Sequence, residues 1–261
     1  MNIVAHQDDD LLFMNPTISH DIAAGNCVRT VYLTAGDAGQ TQLYWLSREQ
    51  GSQAAYDYMD GPGKDIWIQR IVALSDHSFI TVMNPRGNSK ISLIFFHLPD
   101  GNLNGRGFKA THNESLAKLE AGTESTITSV SGQSTYTSSE LITAILELMQ
   151  AYQPSEINTQ ATFSPSQRFV DHSDHMAVGS FVQQAYELYM KPNVPINYYY
   201  GYPVRNMPQN VTGQDLADKM VTFLHYINFA NDTGCVTSNS CLEMPTYGSY
   251  LKHQYSYTLP N

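Results

Sequence analysis

The segment Asn2-Ile3-Val4-Ala5-His6-Gln7-Asp8-Asp9-Asp10 decides the reading of this chain. Its first four residues form a short apolar run that predicts a core strand. One imidazole and three carboxylates follow within five positions. Carboxylates packed this densely repel one another, so they need open solvent or a cation. A strand that ends in such groups at a sheet edge is where an α/β protein holds a metal or a substrate. The simpler alternative is a polar loop with a helix N-cap. A second cluster far downstream, Asp171-His172-Ser173-Asp174-His175, weighs against it.

The wider composition narrows the class. At 261 residues the chain fits one large domain, with 42% hydrophobic and 11% aromatic residues, which excludes global disorder. The formal charge of −10, from 24 acidic and 14 basic residues, argues against nucleic acid or an anionic membrane as the main partner. No apolar run reaches the length of a membrane span. Cys235 and Cys241 bracket a short loop, as a small disulfide does, whereas Cys27 is expected to be buried and free. Sequons at Asn113, Asn210 and Asn231 are candidate glycosylation sites, and with the tail cysteines they point to a secreted protein.

Strand-like runs lie at 2–5, 28–34, 67–74, 91–98, 156–162 and 196–202. Several are apolar throughout, as in strands covered on both faces. Helical patterns lie at 18–24, 44–59, 138–152, 175–190 and 213–228. Thr137-Ser138-Ser139-Glu140 reads as a capping box that starts the third, and Gln153-Pro154 ends it. Strands alternating with helices predict a single α/β domain over 1–261: a Rossmann-like, mainly parallel sheet flanked by helices. Residues 203–261 are expected to form a C-terminal helix and an irregular tail. Such a sheet brings His6–Asp10, Gly36–Gly39, Pro99–Gly101 and Asp171–His175 to one rim.

Two histidines and an aspartate at that rim give an N₂O donor set, which suits catalytic zinc with an open position. His6 and Asp9 are the natural pair, leaving Asp8 beside the metal to take a proton from water. His175 is the candidate third ligand, with His172 facing the substrate and Asp174 available to fix an imidazole tautomer. The competing reading of the second cluster is a polar helix start capped by Asp171 or Ser173. His20, His77, His97, His112, His225 and His253 lack this context and read as surface or satisfied core residues.

These paired motifs resemble the LmbE/PIG-L family of zinc-dependent N-deacetylases. Its signature is Ala-His-Pro-Asp-Asp-Glu/Asp after the first strand and His-Pro/Ser-Asp-His in the C-terminal half. Here those are Ala5–Asp10 and His172-Ser173-Asp174-His175. Thr34-Ala35-Gly36-Asp37-Ala38-Gly39 and Arg48-Glu49 add to the likeness, which extends over roughly residues 1 to 200. The resemblance implies His6, Asp9 and His175 as ligands of one Zn²⁺ and Asp8 as general base. It further implies that His172, supported by Asp174, stabilises the oxyanion or protonates the departing amine. Arg48 and Asp100 are candidate substrate contacts near the rim. Gln7 stands where the family has proline. Some relatives carry a carbonyl-polarising tyrosine two residues before the second motif. Val170 occupies that place, so such a donor must come from elsewhere, for instance a tyrosine of a neighbouring loop. The expected reaction is removal of the acetyl group from an N-acetylglucosamine-type amino sugar or glycoconjugate; the alternatives are hydrolysis of another acyl group, as an O-acetyl ester or a non-sugar amide, and carbohydrate binding without turnover on the same fold.

Overall fold

The computed structural model describes residues 1–61, 66–163, 170–191, 193–230 and 235–259. The chain runs β1 (Asn2–Val4), α1 (Thr17–Ala23), β2 (Val28–Thr34), α2 (Gln42–Asp60), β3 (Trp67–Ala73), β4 (Phe79–Pro85) and β5 (Ile91–Leu98). It continues through α3 (Leu116–Glu120), β6 (Ile127–Thr128), β7 (Thr135–Tyr136), α4 (Ser138–Tyr152), β8 (Ile157–Gln160), α5 (Ser173–Leu188) and β9 (Ile196–Tyr199). The last elements are α6 (Gly213–Ala230), α7 (Ser238–Glu243), α8 (Tyr247–Leu251) and β10 (Ser256–Thr258).

Eight strands form one sheet in the order β10-β9-β8-β1-β2-β5-β4-β3, and β6 and β7 form a separate hairpin. The five inner strands β9, β8, β1, β2 and β5 are parallel, while β10, β4 and β3 pair antiparallel at the two ends. The chain leaves β1 toward β2 and β5, then returns through β8 and β9 on its other side. That reversal makes the carboxyl end of β1 the crevice of the sheet.

Both faces of the inner strands are covered, which explains their continuous apolar runs, whereas β3 at the edge is exposed from Ile68 to Ala73. Ile3, Val31, Leu33, Ile94 and Phe96 pack in one cluster with Ile145 of α4 and Phe181 of α5. Val4, Tyr32, Leu93 and Phe95 pack in the other with Tyr56 of α2 and Phe223 of α6. The alternation along each strand is the period of two that a pleated strand imposes. Asn2 is the polar exception in β1. It is satisfied by a ladder in which it donates to Thr30 Oγ1 at 3.1 Å and accepts from Asn158, which in turn accepts from Asn197.

Helix ends follow the local chemistry. Glu140 N donates to Thr137 Oγ1 and Thr137 N donates to Glu140 Oε2, so the capping box forms as read. Helices α2 and α6 approach closely at Gly51, where a Cβ would lie 2.6 Å from the Tyr226 carbonyl oxygen. Only a residue without a side chain fits that crossing.

Four expectations need correction. The strand at 79–85 was not foreseen, because Thr81, Asn84 and Pro85 interrupt its apolar pattern, yet β4 joins β3 to the sheet antiparallel. The C-terminal region is less irregular than expected: α7, α8 and β10 follow α6, and β10 completes the sheet beside β9. Cys27 is free but exposed, since it precedes β2 rather than lying within it. Helix α5 is capped by His172, whose side chain accepts from Asp174 N, and not by Asp171 or Ser173. Cys235 and Cys241 form the expected disulfide. No described helix is long and apolar enough to cross a membrane.

Candidate metal centre

The first motif leaves β1 in a tight turn that bends Asp9 back onto His6. Asp9 Oδ2 accepts the His6 backbone N–H at 2.7 Å and lies 3.1 Å from His6 Nδ1. The five residues Asp10–Met14 then form one turn of π-helix, buried throughout. From across the sheet, α5 delivers His175, whose Nε2 lies 3.0 Å from Asp9 Oδ1. One carboxylate therefore spans two imidazoles from segments more than 160 residues apart in sequence. All three side chains are buried.

Asp171 orients His175. Its Oδ1 accepts from His175 Nδ1 at 2.8 Å and from the backbone N–H groups of His172 and Tyr202, and its Oδ2 accepts from Gly201 N at 3.0 Å. With Nδ1 committed as donor, the neutral ring turns the Nε2 lone pair toward Asp9. That nitrogen is buried without a hydrogen-bond partner among the described residues. A lone pair aimed at a carboxylate oxygen is unfavourable unless a cation or a proton sits between them. With protein groups alone the proton takes that place: burial lowers the basicity of His175, but Asp9 and Asp171 outweigh it and raise its pKa to about 10. His6 follows the same pattern, with Asp9 and Asp174 overcoming burial and raising it well above the ordinary value. Burial pushes the Asp9 carboxyl up, and the two histidines more than reverse this, holding it well below the usual range.

Ligand atoms of His6, His172 and His175 all lie within 4.8 Å of one another. This buried nitrogen and carboxylate set fits a borderline divalent cation of the zinc type. An oxygen-only cage for magnesium or calcium would look different.

His172 differs electrostatically from its neighbours. Its Nδ1 accepts from Asp174 N at 3.2 Å, which leaves the ring proton on Nε2. Burial first, then the adjacent His6, push its pKa down to about 3, so it is a neutral donor near pH 7. The Asp174 carboxylate does not reach it as the sequence suggested. Asp174 Oδ2 accepts from Gly101 N at 2.8 Å and faces His6 Nε2 at 3.3 Å, but stands 3.8 Å from His172 Nδ1. The support expected for His172 is directed at His6 instead. Asp100 lies between these two rings, 3.8 Å from His6 Nε2 and 3.9 Å from His172 Nε2. Asp37 Oδ1 holds its backbone at 2.8 Å.

Asp8 and Arg48 form a buried ion pair, with Arg48 Nη2 donating to Asp8 Oδ1 at 2.7 Å. The same guanidinium donates from Nη1 to Gly36 O and from Nε to Tyr226 Oη, both at 3.0 Å. Arg48 thus lies beneath Asp8, and its polar edge is committed to protein groups rather than presented to a substrate. Asp10, the third carboxylate of the motif, points into the core and accepts from the hydroxyls of Tyr32 and Tyr56. Burial raises its pKa to about 7.

Sequence reasoning missed Asp171, Tyr226 and Tyr202. Asp171 carried a usable signal, a carboxylate four residues before His175 in the same polar cluster, although it precedes α5 rather than lying on it. The tyrosines carried none, since both come from beyond the recognisable motifs. Tyr202 packs edge-on against His175 and His172, with ring centroids 5.1 and 6.1 Å away, and stacks on Tyr250 at 5.2 Å. Burial raises its phenol well above the ordinary pKa, followed by the charges of Asp9 and Asp8. Val170, two residues before His172, is 67% exposed. Among the sequons, Asn113 and Asn210 are exposed, but the Asn210 side-chain amide is engaged with the backbone of Gln254. Asn231 lies outside the described residues.

The chain belongs to the GlcNAc-PI de-N-acetylase (PIG-L) family, whose profile matches residues 1–186. Comparison with curated proteins finds no significant match. Among solved structures, the fold resembles N,N′-diacetylchitobiose deacetylase from Pyrococcus horikoshii in complex with an inhibitor. The identity is 12%, over 99% of this chain and 82% of that one, with a TM-score of 0.51. It also resembles a triple-mutant deacetylase of the teicoplanin biosynthetic pathway, at 14% identity over 93% of this chain and 88% of that one, with a TM-score of 0.50. At these identities the likeness establishes a shared fold.

Proposed function

We propose that the protein is a zinc-dependent hydrolase that removes the acetyl group from an N-acetylglucosamine-type amino sugar or glycoconjugate. The observation that carries this reading is the Asp9 carboxylate spanning His6 Nδ1 and His175 Nε2, with Asp8 one residue away. His6, Asp9 and His175 are the proposed ligands. His172 is left out of the set because its Nδ1 already accepts a backbone N–H. A divalent cation in that position acidifies water and polarises an acyl carbonyl.

The chain's own groups supply the rest. Asp8, held by Arg48, takes a proton from the attacking water and returns it to the departing nitrogen, so that water is divided between acetate and the free amine. His172 offers its Nε2–H to the acyl oxygen as negative charge develops there. Asp100, 3.8 Å from His6 Nε2 and 3.9 Å from His172 Nε2, is the proposed acceptor for a sugar hydroxyl. Arg48 acts as a positioning residue for Asp8. Membership of a de-N-acetylase family supports the reaction class, and the Cys235–Cys241 disulfide supports an oxidising, extracellular setting.

Acetate release measured across N-acetylglucosamine conjugates, chitooligosaccharides and O-acetyl sugars, together with metal analysis, tests this reading. N-acetyl sugars should react, chelation should abolish turnover and zinc should restore it. Hydrolysis confined to O-acetyl sugars would overturn the amide assignment, and turnover indifferent to chelation would overturn the metal.

A further inference from the structure

The two edges of the sheet are unlike. β10 is three residues long and offers little backbone to a passing strand. β3 runs for seven residues in unbroken register with β4. It carries no proline, lysine, glycine or bulge, the devices that keep an edge strand from pairing. We propose that this edge is the contact between two copies of the chain, paired antiparallel through β3 about a two-fold axis. The contact is independent of the hydrolase reading, since β3 lies four strands from β1, about 19 Å across the sheet.

Backbone geometry supports it first. Arg86 N donates to Ile66 O at 2.7 Å, and Leu74 N donates to Ser78 O at 2.9 Å. Between these two bonds an antiparallel ladder alternates, so Ile68, Arg70 and Val72 turn their N–H and C=O groups toward β4. Trp67, Gln69, Ile71 and Ala73 turn theirs outward, where no described strand pairs with them. Another strand completes such a row. The side chains agree with the backbone. Ile68, Ile71 and Val72 are exposed, Ile71 at 51%. Ile68 and Val72 border an apolar groove that Leu74, Ile80 and Val82 also line, so a strand added here buries apolar surface along with its hydrogen bonds.

Charge selects the partner and its direction. Arg86 stands exposed beside the start of β3, whereas Asp76 and Glu147 stand at its end, Glu147 accepting from Ser75 N at 3.0 Å. A second copy laid antiparallel sets each basic end against the acidic end of its neighbour, twice about the axis. A parallel copy would set like against like. Arg70, the single charge on the strand, is drawn back onto Asn84 Oδ1 at 3.1 Å.

Sedimentation equilibrium of the full chain, at concentrations up to about 100 µM, should show a monomer–dimer equilibrium. Hydrogen exchange on the parent should find the Gln69, Ile71 and Ala73 amides protected in the dimer and unprotected on dilution, with Arg70 and Val72 protected throughout. Ile71→Pro removes an outward N–H and leaves the bonds to β4 in place. Its dimer Kd should rise about tenfold or more, with parental circular dichroism. Arg86→Glu should weaken the dimer too, by a factor that shrinks in high salt. A monomer at every concentration, or a dimer whose outward amides exchange freely, would overturn the pairing, whether or not Ile71→Pro folds. A monomer that protects those amides only on binding the peptide of residues 66–74 would assign the edge to an extended peptide instead.

Discussion

Asp171 Oδ1 accepts a hydrogen bond from His175 Nδ1 at 2.8 Å, and through that bond a residue outside the proposed ligand set determines which imidazole nitrogen faces Asp9. The same carboxylate ties down Gly201 and Tyr202, so ligand orientation and the aromatic wall share one anchor. Asp171→Asn replaces one acceptor oxygen by a donor amide facing backbone N–H groups. Zinc affinity should fall about 10- to 100-fold, measured by competition with a chromophoric chelator. Unchanged affinity would show that the tautomer of His175 is set by something else.

Gly201 permits that anchor. A Cβ there would meet Asp171 Oδ1 and His175 Nδ1, each at 2.5 Å. Gly201→Ala should therefore destabilise the protein by about 1–3 kcal/mol and weaken zinc binding along with it. Urea unfolding and zinc titration of one preparation would reveal both effects. Loss of stability with parental zinc affinity would separate the loop from the metal centre.

Asp8 and the proposed ligands should be distinguishable by what each loss removes. Asp8→Ala should retain zinc and lose turnover by about 10²–10⁴-fold. His6→Ala and His175→Ala should lose zinc itself. Arg48→Met should retain zinc while lowering kcat, because Asp8 loses the group that holds it at 2.7 Å. Elemental analysis beside acetate-release kinetics checks all four, and a zinc-free Asp8→Ala protein would contradict the division of roles.

Lys219 offers a test of pH dependence away from the metal. It is buried on α6, donates to His253 O at 2.8 Å, and burial lowers its pKa to about 7 from an ordinary value of 10.5. Between these values the unfolded chain binds a proton that the folded one does not, so stability rises with pH across this window. The contribution is complete above pH 10.5 and is lost as pH falls through 7. Lys219→Met should remove it, and its stability relative to the parent should grow by about 1.4 kcal/mol per pH unit from pH 10 down to 7. Urea melts at four pH values measure the slope directly, and parallel curves would refute the buried neutral lysine.

Much of this was legible in the residues. The strand before His6, the continuous apolar runs and the capping box at Thr137 are local patterns whose physics acts within a few residues. They sufficed for a mainly parallel sheet with both motifs at one rim. The paired motifs themselves sufficed for the family, because the residue types and their spacing carry that signal. Asp171 was half legible, by its spacing from His175.

What the residues could not reveal depends on long-range contact. The burial of Arg48 beneath Asp8 requires Tyr226 from α6, which reaches it only because Gly51 lets two helices touch. The direction of the Asp174 carboxylate toward His6 rather than His172 follows from its bond to Gly101 N, across 73 residues of sequence. Strand β4 exists because β5 and β3 flank it, since its own pattern is weak. By itself the sequence determined the donor types, their spacing and the sheet that gathers them, since strand and helix periodicity are written locally. Only the tertiary structure decided which oxygen faces which nitrogen and which tyrosine joins the site, because burial and hydrogen bonding are settled by whatever packs alongside.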